Sequence, residues 1–195
     1  MILDGAGLDT SVVRAVSGEG PESILRGMTI RNGSTGSVFG SALVGGGLFT
    51  EESSPLIEDC VFEGNSAEYG GAVYARKGAP VFRHCRFVEN ESVFDGGALQ
   101  FSRSEGGVVE SCEVESNAAG TNGGGIHAFA GTASIDATVF SMNSAGSTGG
   151  GLSWASSGGS GSSEGALFVS DSTLSDNLAP AGGGVHVSNG DVVVD

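Results

Sequence analysis

The chain has 195 residues, 36 of them Gly and only 4 Pro, with 38% hydrophobic residues and a formal net charge of -15. That length suits one core; the Gly content has no G-X-Y period, so it is not collagenous, and the apolar share is too high for a disordered low-complexity chain. Twenty-three acidic against eight basic side chains repel phosphate backbones and argue against nucleic-acid binding, and no run approaches the roughly 20 apolar residues of a membrane helix, so no membrane insertion by this segment is expected.

The first residues, Met1-Ile2-Leu3-Asp4-Gly5, lack the basic and apolar regions of a secretory signal and read as the interior of a solenoid. The chain ends in Asp191-Val192-Val193-Val194-Asp195, where a strand has just begun. One domain, residues 1–195, cut from a longer solenoid is therefore expected.

The first repeat phrase runs from Ile24 to Asn32 and is one residue shorter than its later copies. The full phrase is an apolar pair, two polar residues, a small residue, any residue, a large apolar residue, two residues and Asn. It appears as Leu56-Ile57-Glu58-Asp59-Cys60-Val61-Phe62-Glu63-Gly64-Asn65 and again as Val81-Phe82-Arg83-His84-Cys85-Arg86-Phe87-Val88-Glu89-Asn90. Further copies end at Asn117, Asn143 and Asn177. The three central Asn spacings are 25, 27 and 26 residues; the outer two are 33 and 34. The excess predicts polar loop insertions near residues 34–44 and 156–164. A second phrase follows each Asn, as in Gly45-Gly46-Gly47-Leu48, Gly70-Gly71-Ala72-Val73 and Gly96-Gly97-Ala98-Leu99.

Apolar residues recur once per repeat rather than every third or fourth residue, so helices are not supported. The pattern predicts an all-β fold: a right-handed, single-stranded parallel β-helix of about seven rungs of roughly 25 residues. Each rung should carry two short strands, with apolar positions stacked about 4.8 Å apart in columns. One column holds Ile30, Phe62, Phe87, Val114, Phe140 and Leu174; another holds Leu48, Val73, Leu99, Ile126, Leu152 and Val185. The Asn of each corner is expected in a turn conformation, its amide bonded to the Asn above and below. Gly at the next corner supplies positive φ and close backbone approach.

Phe-x-x-Asn followed by Gly-Gly-Ala-[Ile/Leu/Val] resembles the repeat pair of the chlamydial polymorphic outer membrane proteins, and more widely the pectate-lyase-like β-helix proteins of bacterial surfaces. Phe62 to Asn65 with Gly70 to Val73, and Phe87 to Asn90 with Gly96 to Leu99, match both halves. Later rungs depart, with Val114 and Leu174 in place of Phe and Gly in place of Ala. The resemblance spans residues 24–188 and implies an autotransported, adhesive protein at the surface of a bacterium.

Cys60, Cys85 and Cys112 share one rung position, with Met28, Thr138 and Ser172 in the other copies. An odd number in an interior column, without Cys-x-x-Cys spacing, predicts free buried thiols rather than a disulfide or zinc. Arg26, Glu58, Arg83, Glu110, Asp136 and Ser170 form an outer column whose first four members alternate in sign, predicting a cross-rung ion-pair ladder. Phe49, Tyr74, Gln100, His127, Ser153 and His186 should point outward beside the Gly corners, an exposed stripe suited to stacking sugar rings or contacting a partner. His84, His127 and His186 read as surface histidines. The acids are spread singly over the rungs and no basic residue stands beside an acidic cluster, so no catalytic residues, metal ligands or cofactor site are assigned. Acidic turns leave weak calcium binding open.

The expected function is a non-catalytic, extracellular or cell-surface scaffold, adhesin-like, whose partner is a host or neighbouring-cell surface protein or glycan. A carbohydrate-binding or polysaccharide-degrading module, and a structural module that stacks end to end on itself, are the alternatives.

Overall fold

The structure is a computed structural model that describes residues 1–35, 43–156, 165–189 and 191–195; the two expected insertions fall mostly outside the described residues. The described chain has no helix and forms parallel sheets whose strands come from successive rungs. Three sheets have seven strands each and a fourth has four. One central rung shows the pattern. Arg86–Val88 belongs to the first sheet, Glu91–Ser92 to the small sheet, Leu99–Ser102 to the second sheet and Glu105–Glu110 to the third.

Each rung thus carries three principal strands where the sequence suggested two, because the first repeat phrase is itself bent. Between Leu56–Glu58 and Val61–Glu63 the chain turns at Asp59, with φ of 53°, and Cys60 points inward. His84, Ser111, Ala137 and Asp171 occupy the same left-handed position in later rungs. Only Gly usually advertises that conformation, so this corner left no compositional mark.

The strands pair in register: Phe62 with Phe87, Phe87 with Val114, and Val114 with Phe140. Both expected apolar columns stand inside the rod, fully buried through the central rungs. Phe62 and Phe87 stack at 5.1 Å and 9°, and Phe82 meets Phe87 edge-on at 5.8 Å.

The Asn corner is a continuous ladder. The side-chain nitrogen of Asn65 donates to Oδ1 of Asn90 at 3.0 Å, Asn90 to Asn117 at 2.9 Å, Asn117 to Asn143 at 2.9 Å and Asn143 to Asn177 at 2.9 Å. Each amide also donates to a main-chain carbonyl of the preceding rung, as Asn90 does to Phe62 O at 3.0 Å. Two details differ from the sequence reading. The left-handed residue is the one before the ladder Asn: Gly64, Glu89, Ser116, Met142 and Asp176. Asn32 stands at that preceding position, φ 55°, exposed and bonded to Asp4; Gly33 takes the ladder place and donates its N–H to Asn65 Oδ1 at 2.9 Å. The short first copy places its Asn one residue too early to join the stack.

At the Gly corner the first Gly has positive φ (68° at Gly96), and the second lies against the next rung's backbone. A Cβ on Gly97 would meet Gly124 O at 2.1 Å. The third position faces the apolar columns. Ala72 and Ala98 hold it in two central rungs, fully buried, whereas a Cβ on Gly125 or Gly151 would meet the next rung's carbonyl oxygen at 2.5 or 2.8 Å, so those rungs keep Gly.

The charged column resolves into separate pairs. Arg26 bonds Glu58 at 2.5 Å and Arg83 bonds Glu110 at 2.9 Å, while Asp136 accepts from the Ser170 hydroxyl at 2.6 Å. Alternation of sign therefore couples neighbours two by two, each exposed pair contributing about 0–1 kcal/mol.

Candidate functional site

The three cysteines are free and buried in one column, as the residue types implied. Cys60 and Cys85 donate to the carbonyls of Glu58 (3.2 Å) and Arg83 (3.3 Å). Hydrogen bonding to Cys85, then burial, pushes the Cys60 thiol up. The Cys112 sulfur does the same to Cys85, up to about 12. Cys112 is held below its ordinary value by hydrogen bonding with Cys85, whose main-chain N–H donates to its sulfur at 3.3 Å, against burial. These are packing thiols shielded from solvent. Among the described residues, no group of three His, Cys, Asp or Glu side chains could hold a metal ion.

The stripe beside the Gly corners is in register across the second sheet, from Phe49 through Tyr74, Gln100, His127 and Ser153 to His186. It is not the exposed surface that alternation suggested. Phe49 is 8% exposed, Gln100 6% and His127 4%; Ser153 is buried as well, while Tyr74 and His186 are half-buried. The cause is the corner itself. A positive-φ Gly folds the chain back over the strand that follows, so that a Cβ on Gly96 would sit 2.9 Å from Cβ of Gln100, and one on Gly149 2.8 Å from Cβ of Ser153.

A second polar ladder, invisible in the sequence, lines this fold-back. Asp95 Oδ1 accepts from Asn122 Nδ2 at 2.9 Å, Asn122 Oδ1 accepts from the Thr148 hydroxyl at 2.7 Å, and that hydroxyl lies 3.2 Å from Ser153 Oγ. His127 Nδ1 and Gln100 Oε1 are buried without a hydrogen-bond partner. Burial lowers the His127 pKa, opposed by the carboxylate of Asp95. Of the three histidines, only His84 is the exposed surface residue expected, 3.6 Å from Asp59.

The stripe opens to solvent at the half-buried Tyr74, beside a buried Phe49 that Arg14 covers. Arg14 lies over the Phe49 ring at 4.8 Å, and Tyr74 stands 6.1 Å from the same ring. They border a groove of about 390 Å³, with Asp9 and Ser11 on one wall and the Glu51–Arg76 pair, 3.4 Å apart, on the other. Arg14 is exposed and makes no ion pair among the described residues. The groove offers an aromatic surface, a guanidinium, hydroxyls and carboxylates around a space of small-ligand size. Asp9, Ser11 and Arg14 carry no mark in the sequence, since they precede the first recognisable repeat.

Sheets of parallel strands stacked in seven turns around an apolar interior define the class: a parallel β-solenoid. The family model "Right handed beta helix region" matches residues 14–140, and the chain belongs to that family. No curated protein and no solved structure matches the chain.

Proposed function

We propose that the chain is a non-catalytic interaction module of the extracellular or cell-surface kind, whose contact with its partner is the groove at Arg14, Phe49 and Tyr74. The carrying observation is the Arg14 guanidinium laid over Phe49 beside Tyr74 in an open groove. The recurring side chains elsewhere are committed to stacking: the Asn amides to one another, the outer charges to their neighbours, the thiols to main-chain carbonyls. A rod built this way can change its groove residues without changing its rungs. The likeness of Phe-x-x-Asn and Gly-Gly-Ala to chlamydial polymorphic outer membrane protein repeats supports an adhesive role at a bacterial surface.

A glycan is the partner this groove suits best, because the half-exposed Tyr74 ring can pack against a sugar ring while the guanidinium, carboxylates and Ser11 can bond hydroxyls. The test is binding to an array of neutral and acidic oligosaccharides, followed by titration of the best ligand against Arg14→Gln and Tyr74→Ser. Both changes are at side chains open to solvent and should leave the melting temperature within about 2 °C. At least tenfold weaker binding is expected for each. Equal affinity in both variants would remove the groove from the contact.

A further inference from the structure

The third sheet carries a feature that the rung does not need. In the apolar pair that opens each repeat, the second residue (Ile57, Phe82, Val109, Ile135, Val169) is buried in the core. The first faces out: Ile24, Leu56, Val81, Val108, Ser134, Phe168 and Val193 are register partners across the whole sheet. Six of these seven are apolar, and Ile24, Phe168 and Val193 are 52%, 43% and 43% exposed. The outward columns of the first sheet are mixed instead, as in Thr29, Val61, Arg86 and Glu113. Parallel strands apolar on both faces are the pattern of a sheet covered on both faces.

Charge says what covers it. No Lys or Arg follows Arg103, whereas ten acids do. On the same outward face, two residues along from the apolar column, Arg26 and Arg83 are paired with Glu58 and Glu110, whereas Asp136 and Asp191 have no cationic partner among the described residues and Asp171 sits at the adjoining corner. Six of the eight basic side chains are engaged in ion pairs with neighbouring rungs. A second copy, equally acidic, is a poor match. We infer that the outer face of the third sheet docks a cationic amphipathic helix of a partner polypeptide, apolar along one side and flanked by Lys or Arg. The spacing fits: rungs repeat every ~4.8 Å and helix turns every ~5.4 Å, so one apolar residue per turn tracks the column over three or four rungs. This face is separate from the groove and its occupancy does not depend on glycan binding.

The test uses a fluorescent 18-residue helical peptide with Leu along one side and Lys beside it, and a control with Glu for Lys, read by anisotropy. The wild-type chain should bind the Lys peptide, more weakly as salt rises, and ignore the Glu peptide. Leu56→Thr/Val81→Thr/Val108→Thr keeps every charge and should weaken binding at least tenfold at an unchanged melting temperature. If that triple variant melts early, Val81→Thr and Phe168→Ser are read singly, with threefold or greater weakening expected of each. Asp136→Asn/Asp191→Asn should flatten the salt dependence, and Arg14→Gln should change nothing. Unchanged binding by the folded Thr variants, or equal binding of the Glu peptide, would overturn the inference. So would a concentration-dependent dimer abolished by the same Thr substitutions, which would assign the face to a second copy.

Discussion

Asn32 and Asn90 end the same repeat phrase, yet replacing each by Gly should have opposite consequences. Asn90 Oδ1 accepts from both the main-chain N–H and the amide of Asn65, at 3.0 Å each, and its own amide donates to Asn117 Oδ1 and Phe62 O. In Asn90→Gly, Asn65 Nδ2 keeps its bond to Ile30 O, and Asn117 Oδ1 keeps the Asn90 N–H. The Asn65 N–H and the amide's share of Phe62 O lose their partner inside a fully buried column. At about 1–3 kcal/mol per unsatisfied buried group, the expected loss is roughly 2–6 kcal/mol. In Asn32→Gly the exposed bond to Asp4 is lost, but the residue sits at φ 55°, where Gly is at no disadvantage. The change should lie within about 1 kcal/mol of zero. Urea unfolding followed by far-ultraviolet circular dichroism measures both, provided the m-value is shared. Equal destabilisation by the two substitutions would refute the assignment of Gly33, rather than Asn32, to the ladder.

The remaining expectations concern single positions. Gly97→Ala should prevent the central rungs from closing and cost at least about 3 kcal/mol, because its Cβ would meet the carbonyl oxygens of Gly124 and Ala118 at 2.1 and 2.6 Å; Ala98→Gly, at the neighbouring inward position, should cost much less in the same unfolding assay. His127 has its pKa lowered by burial, so below the unfolded value of about 6.5 the unfolded chain binds a proton that the folded chain does not. Stability should therefore be highest above that pH and fall as pH drops below it, and His127→Gln should remove that part of the slope in melting temperatures taken between pH 7 and 5. The three thiols should resist iodoacetamide at pH 8 in the folded protein and react together once it is unfolded in urea, as mass spectrometry would show; fast labelling of Cys85 in the folded state would contradict its place in the core.

The fold was legible because the rung repeats in the sequence itself. Phe62, Phe87 and Phe140, the Asn column and the Gly corners recur every 25 to 27 residues through the central rungs, and stacking turns that recurrence into contact. What escaped were the features set by backbone conformation rather than residue type. The bend at Asp59, His84 and Ser111 uses ordinary residues in a left-handed conformation, so two strands read as one phrase. The burial of Gln100 and His127 arises from the fold-back at Gly96 and Gly123, which a period-two reading of the strand alone cannot contain. The groove escaped for a further reason: Arg14 and Ser11 meet Phe49 and Tyr74 only across rungs, and the first rung has too little of the repeat phrase to be aligned.

The measurement that bears most directly on the function proposed is chemical-shift mapping of the isotopically labelled chain during titration with the oligosaccharide that binds best. Shifts are expected in the segments around Asp9 to Arg14, Phe49 to Glu51 and Tyr74 to Arg76, with the Asn ladder and the first sheet silent. Shifts confined to the first sheet, or none at saturating sugar, would contradict a contact through the groove.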